Sequence, residues 1–166
     1  MHILNHVSNL VKKYKTNNPF EIAKELNTAV VFHQLGNLKG YYTCDRRFRY
    51  IVINKDLSSE MQRVICAHEL GHDRLHQCYA KYTPMNDYSL VDMSSKPERE
   101  ANLFAAELLL PDSDVFEGIN SNCSFHALAS TLQVPIELLD FKLQVLKKKG
   151  YQFLAPQVAK ANFLKG

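Results

Sequence analysis

A chain of 166 residues, 46% apolar and 22% charged, has the makeup of one ordinary globular domain, or of a domain with a small helical extension. A net charge of +3 is too small to recruit nucleic acid by bulk electrostatics, and no apolar stretch approaches the length a bilayer needs. Residues 1–15 lack the features of a secretory leader, and Cys44, Cys66, Cys78 and Cys123 form no C-x-x-C pair, so free thiols in a reducing cytoplasm are expected.

Ile3, Leu4, Val7, Leu10, Val11 and Tyr14 recur at helical spacing, which predicts an opening amphipathic helix. Asn17-Asn18-Pro19 is the start signal of a second, short helix whose buried face is Ile22, Ala23 and Leu26. Ala29–Phe32, Gly40–Thr43 and Phe48–Ile53 are rich in β-branched and aromatic residues and read as three strands. Asp45-Arg46-Arg47 is the hairpin connection between the second and third, and its basic residues, with Arg49, read as a solvated tip. Ser59 and Gln62 have capping-box spacing and start a helix that runs to about Gln77. Thr83–Ser94 reads as a long irregular loop, and Ser95–Leu110 as a helix stopped by Pro111. Asn122-Cys123-Ser124 can cap a helix holding Leu128 and Leu132, and Ile136–Lys149 forms another, with Lys147, Lys148 and Lys149 as its basic last turn. Residues 151–166 read as a tail.

The chemistry concentrates in His68-Glu69-Leu70-Gly71-His72. Histidines four apart on a helix stack on one face, so both can reach a single zinc at about 2.0–2.1 Å. Glu69 projects beside them and can act as general base. Gly71 costs its helix about 1 kcal/mol relative to Ala, and a close approach by another backbone element would explain it. A catalytic zinc needs a third protein ligand. His76 would sit about 6 Å further along a continuous helix than His72, a poor ligand position that suits a packing or supporting residue. Glu98 is the better candidate, with Asn102 four residues on and sharing its face, able to hydrogen-bond a zinc-bound histidine from behind. Glu100 points about 200° away from Glu98. Ser95 and Glu98 also have capping-box spacing, so Glu98 could instead close the helix end.

Together, His68–His72 and Glu98-x-x-Ala101-Asn102-x-Phe104-Ala105-Ala106-x-Leu108-Leu109-Leu110-Pro111 resemble the ImmA/IrrE family of zinc-dependent metallopeptidases. Tyr50-Ile51-Val52-Ile53-Asn54 and Leu75-His76 are similar to that family too, so the resemblance spans roughly Ile3 to Pro111. It implies a gluzincin-type site with one zinc per chain on His68, His72 and Glu98 and with Glu69 as catalytic base. Family members are often encoded by prophages or mobile elements and relieve repression by cleaving helix-turn-helix repressors; some act in stress responses. Leu110 stands where many relatives have methionine, a volume-conserving difference.

Leu128–Leu139 has a helix-turn-helix cadence, which raises a DNA-binding alternative through residues 122–149. Glu137 and Asp140 at the start of the second helix would face a polyanion and disfavour it. A cap on the catalytic domain or a substrate-recognition surface fits better. The expected fold is α+β and zincin-like: a small, mostly antiparallel sheet packed on the H-E-x-x-H helix, with a peptidase core over 1–111 and a helical extension over 112–166. The expected partner is a protein substrate, which could add as a strand to the sheet edge near the metal. Tyr79, Tyr82, Tyr88 and His76 are equal candidates for stabilising an oxyanion. A zinc-containing sensing or binding protein without proteolysis is the other reading.

Overall fold

The computed structural model describes residues 2–45, 48–77, 85–87, 95–121 and 123–152. Two helices open the chain, α1 (His2–Tyr14) and α2 (Pro19–Glu25). Asn18 caps α2, its Oδ1 accepting from the Phe20 N–H at 3.0 Å, and Pro19 occupies the first turn, where a missing N–H costs nothing. The three apolar runs form β1 (Thr28–His33), β2 (Gly40–Asp45) and β3 (Phe48–Asn54). There follow α3 (Ser59–Leu75), β4 (Met85–Asp87), α4 (Lys96–Leu109), α5 (Asp112–Asn120), α6 (Phe125–Thr131) and α7 (Ile136–Lys148). The chain is α+β, as expected.

The sheet order is β1-β3-β2-β4. β2 is antiparallel to β3 and to β4, but β1 runs parallel to β3, so the sheet is mixed. The cause is the connection 34–39, which carries the chain from β1 past the place that β3 later fills. Buried Asn54 anchors this connection: its Nδ2 donates to the carbonyls of Gly36 and Leu38, both at 3.0 Å. Gly36 takes the left-handed conformation its turn requires (φ +60°).

Three local expectations change, and one helix is added. Ser58, rather than Ser59, caps α3 by accepting from the Met61 N–H, while the Gln62 amide donates to the carbonyls of Lys55 and Leu57 instead of closing a box. α3 stops at Leu75, where the backbone of His76 turns out of the helix (φ −130°, ψ 23°). Met85–Asp87, inside the expected loop, pairs with Gly40–Tyr42, so that part of the β2 edge is already taken. And α5 starts directly after Pro111, with Asp112 and Asp114 in its first turn. Arg46, Arg47, Cys78, Tyr79, Tyr82, Tyr88, Asn122 and the tail from 153 lie outside the described residues. Among the described residues, Cys44, Cys66 and Cys123 are free thiols, and no helix is long and apolar enough to cross a membrane.

One sheet face buries Tyr42, Ile51 and Ile53 against α3, while Phe48 and Tyr50 are exposed. On its other side α3 packs on α4, which is itself covered by α1 and α7. The α3–α4 contact depends on small residues. A Cβ on Gly71 would lie 3.0 Å from the Ala101 Cα, 3.3 Å from the Ala101 carbonyl oxygen and 3.3 Å from the Phe104 Cβ. Two of those atoms are backbone and cannot yield unless the helices part. Gly71→Ala is therefore expected to destabilise the protein by roughly 1–3 kcal/mol, although in an open helix it would stabilise by about 1 kcal/mol. Urea unfolding checks the sign; a more stable variant would show that the helices are not in close contact.

α7 is tied to the rest by charge as well as by apolar packing. Lys142, fully buried, places its Nζ 2.6 Å from Glu107 Oε2 at the end of α4 and 2.6 Å from Asp112 Oδ1 at the start of α5. Lys149 reaches the other oxygens of the same two carboxylates at 2.7 and 2.9 Å. It is thus part of an ion network rather than only a favourable charge at a helix end.

Candidate metal centre

His68 and His72, one turn apart on α3, are both buried, and their Nε2 atoms lie 3.0 Å apart. The first turn of α4 brings Glu98 against them, with Oε2 at 3.2 Å from His68 Nε2 and Oε1 at 3.4 Å from His72 Nε2. Of the two roles open to Glu98, the cap and the ligand position, its two parts take one each. The Glu98 N–H donates to Ser95 Oγ at 3.4 Å, and the carboxylate turns to the histidines.

The outer ring nitrogens are held as well. His68 Nδ1 lies 2.9 Å from Asn102 Oδ1, one helical turn beyond Glu98. His72 Nδ1 lies 3.2 Å from His76 Nδ1, and His76 Nε2 lies 3.0 Å from Glu100 Oε2. Because the backbone leaves the helix at His76, its ring folds back onto His72 instead of standing a full turn away. Glu100 does face away from Glu98, as its spacing predicts, yet it joins the site's periphery through His76. Spacing alone could not show this, because it assumed an unbroken helix.

These contacts specify protons. Asn102 Oδ1 and the Glu100 carboxylate can only accept, so Nδ1 of His68 and Nε2 of His76 donate. His76 Nδ1 then accepts from the Nδ1–H of His72. The Nε2 atoms of His68 and His72 are then the ring nitrogens turned toward one another and toward the Glu98 carboxylate. Burial pushes His72 down to about 4, so it is neutral near pH 7. Partial burial works to raise the Glu98 carboxyl, but hydrogen bonds and charge interactions with His68 and His72 outweigh it and hold the group well below the usual carboxylate range. Two imidazole nitrogens and one carboxylate converge with all their ligand atoms within 4.8 Å of one another. Two nitrogens with one oxygen, brought together in a largely buried place, is a donor set suited to a divalent transition metal.

Glu69, also fully buried, follows His68 on α3, and its Oε1 lies 3.7 Å from where a Cβ on Gly40 of β2 would be. That Cβ would collide with Ile65 Cγ2 at 2.5 Å and with the Val52 carbonyl oxygen at 2.9 Å, so glycine is required where β2 passes the carboxylate.

One supporting pair escaped the reading of the sequence. Arg49 on β3 places Nη1 3.1 and 3.0 Å from the two carboxylate oxygens of Asp73, while Nη2 donates to the Leu26 carbonyl at the end of α2. Asp73 is fully buried directly after His72, so this pair ties the sheet to the site's helix. A charged residue next to a candidate metal-binding histidine was the available signal. Among the oxyanion candidates, the structure describes His76 only, and its ring is engaged with His72 and Glu100.

Known proteins similar to this chain include metallopeptidases. The M78 peptidase family, as an IrrE N-terminal-like domain, matches residues 23–144. The chain is 40% identical over 137 residues to the uncharacterized immunity region protein 2 of Bacillus phage phi105, covering 82% of this chain and 85% of that protein. It is also 29% identical over 147 residues to metallopeptidase ImmA of Bacillus subtilis (strain 168), covering 85% of this chain and 83% of the relative.

Proposed function

The chain belongs to the IrrE N-terminal-like family of M78 metallopeptidases, and from that premise we propose that it is a cytoplasmic, zincin-like endopeptidase. In this reading zinc is held by His68, His72 and Glu98, and the substrate is a helix-turn-helix repressor. The observation that carries the reading is the convergence of two histidine ring nitrogens and a carboxylate in one largely buried spot. When bound, zinc would polarise the scissile carbonyl and acidify a water molecule. Glu69 takes the water's proton and returns it to the leaving amine, a role open to a carboxylate on the same turn of α3 that is not itself a ligand. Asn102 holds His68 from behind, and the burial of α3 between the sheet and α4 keeps bulk water from His68, Glu69 and His72.

Support for a repressor substrate comes from the likeness to an uncharacterized immunity region protein of a phage, taken with the relief of repression that the family resemblance implies. A protein substrate is favoured over DNA because exposed Glu137 and Asp140 lie at the start of α7, where a recognition helix would meet phosphate. The test is co-expression with a repressor encoded beside this protein. Mass spectrometry should find two repressor fragments from a single cut, and the purified protein should carry about one zinc per chain. An intact repressor in the presence of zinc-loaded protein would overturn the substrate assignment.

A further inference from the structure

We propose that Glu100 and His76 form a positioning relay that sets the metal-binding tautomer of His72; this rests on the zinc reading of the site. Glu100 Oε2 is 3.0 Å from His76 Nε2, and His76 Nδ1 is 3.2 Å from His72 Nδ1. Neither residue belongs to the converging set of His68, His72 and Glu98, and the contact from the relay to that set is made at His72.

The relay answers a problem peculiar to His72. A neutral imidazole can carry its proton on either nitrogen, and only the Nδ1–H form presents Nε2 as a ligand. His68 is supplied with a fixed acceptor, the Asn102 amide oxygen. The partner of His72 is another imidazole, which accepts at Nδ1 only while its own proton is kept on Nε2. A carboxylate cannot donate, so Glu100 keeps it there. The second histidine thus extends the reach of the carboxylate by one ring, from the half-exposed side of α4 to the buried face of α3. The turn of the backbone at His76 is what makes the distance right, and the His76 N–H still closes the helix onto the His72 carbonyl at 2.9 Å.

The experiment uses the purified full chain and zinc alone, with affinity read by competition against a chromophoric chelator and cobalt(II) absorption as a spectroscopic check. His76→Leu fills the space but cannot accept, and zinc affinity should fall by about 10–100-fold, the range found when such a supporting partner is lost. Glu100→Gln should lose less, and the double variant should bind no more weakly than His76→Leu, because Glu100 acts only through His76. His76→Gln offers a carbonyl oxygen to the His72 N–H and should recover much of the affinity. The cobalt spectrum should change in His76→Leu and return toward wild type in His76→Gln. Wild-type affinity in folded His76→Leu, or losses that multiply in the double variant, would overturn the relay. If His76→Leu does not fold, wild-type affinity in Glu100→Gln, altered at a half-exposed position, overturns it. Wild-type protein that takes up no zinc would overturn the zinc reading itself, which separates that failure from failure of the relay.

Discussion

Glu69→Gln is expected to fold, to keep its zinc and to lose hydrolysis by about 10²–10⁴-fold, the usual worth of a positioned proton acceptor. Glutamine has nearly the volume of glutamate, so the tight place beside Gly40 and Ile65 need not rearrange. The amide has no basic lone pair strong enough to take a proton from water, so the chemical step alone is affected. The measurement is turnover of the repressor substrate by protein matched for zinc content and for circular dichroism. Cleavage near the wild-type rate would remove Glu69 from the mechanism. The same variant separates a peptidase from a zinc-dependent sensor: if the fate of the partner in the cell does not change, proteolysis is not what the site is for.

Exchanging the two acids of α4 should produce opposite outcomes. Glu98→Gln replaces the ionised member of the three converging groups with a neutral amide and should lower zinc affinity by several orders of magnitude, with hydrolysis lost in parallel. The helix should survive, because the contact that caps α4 is made by the Glu98 main chain to Ser95 and not by the carboxylate. Glu100→Gln should still bind one equivalent, though more weakly. Chelator competition on both variants, each shown folded, decides the matter. If Glu100→Gln is the one left without metal, the ligand is Glu100, and Glu98 is only a helix cap.

Much of this was legible beforehand because the signals were local. His68, His72, Gly71 and the pair Glu98–Asn102 are read from helical periodicity, and periodicity survives folding. The strands were legible from their β-branched runs, but their order was not. The parallel β1–β3 pairing depends on the path of residues 34–39 and on side-chain bonds from Asn54, which leave no periodic trace. β4 is three residues long, too short for any pattern to build up. The Glu100–His76 contact was hidden by a single break in helical geometry, and the Arg49–Asp73 pair joins residues 24 apart. Such partners are chosen by tertiary packing, and a short basic run read as solvated gives no hint of them.

The ion network around Lys142 bears on how many ways the last helix can dock. Along α7 the apolar residues Leu139, Leu143 and Leu146 repeat at nearly equal steps, so a slide of one turn, about 5.4 Å, would lay leucine over leucine again at little loss. The ammonium group does not repeat in this way. Moved one turn, Lys142 would leave Glu107 and Asp112 and enter the core bare, at about 3–5 kcal/mol, the usual result of stripping a buried charge of its partners. Four charges that sum to zero add little attraction over a distance, but they reject misregistered docking, and so they select one seating for α7 against the helix that carries Glu98.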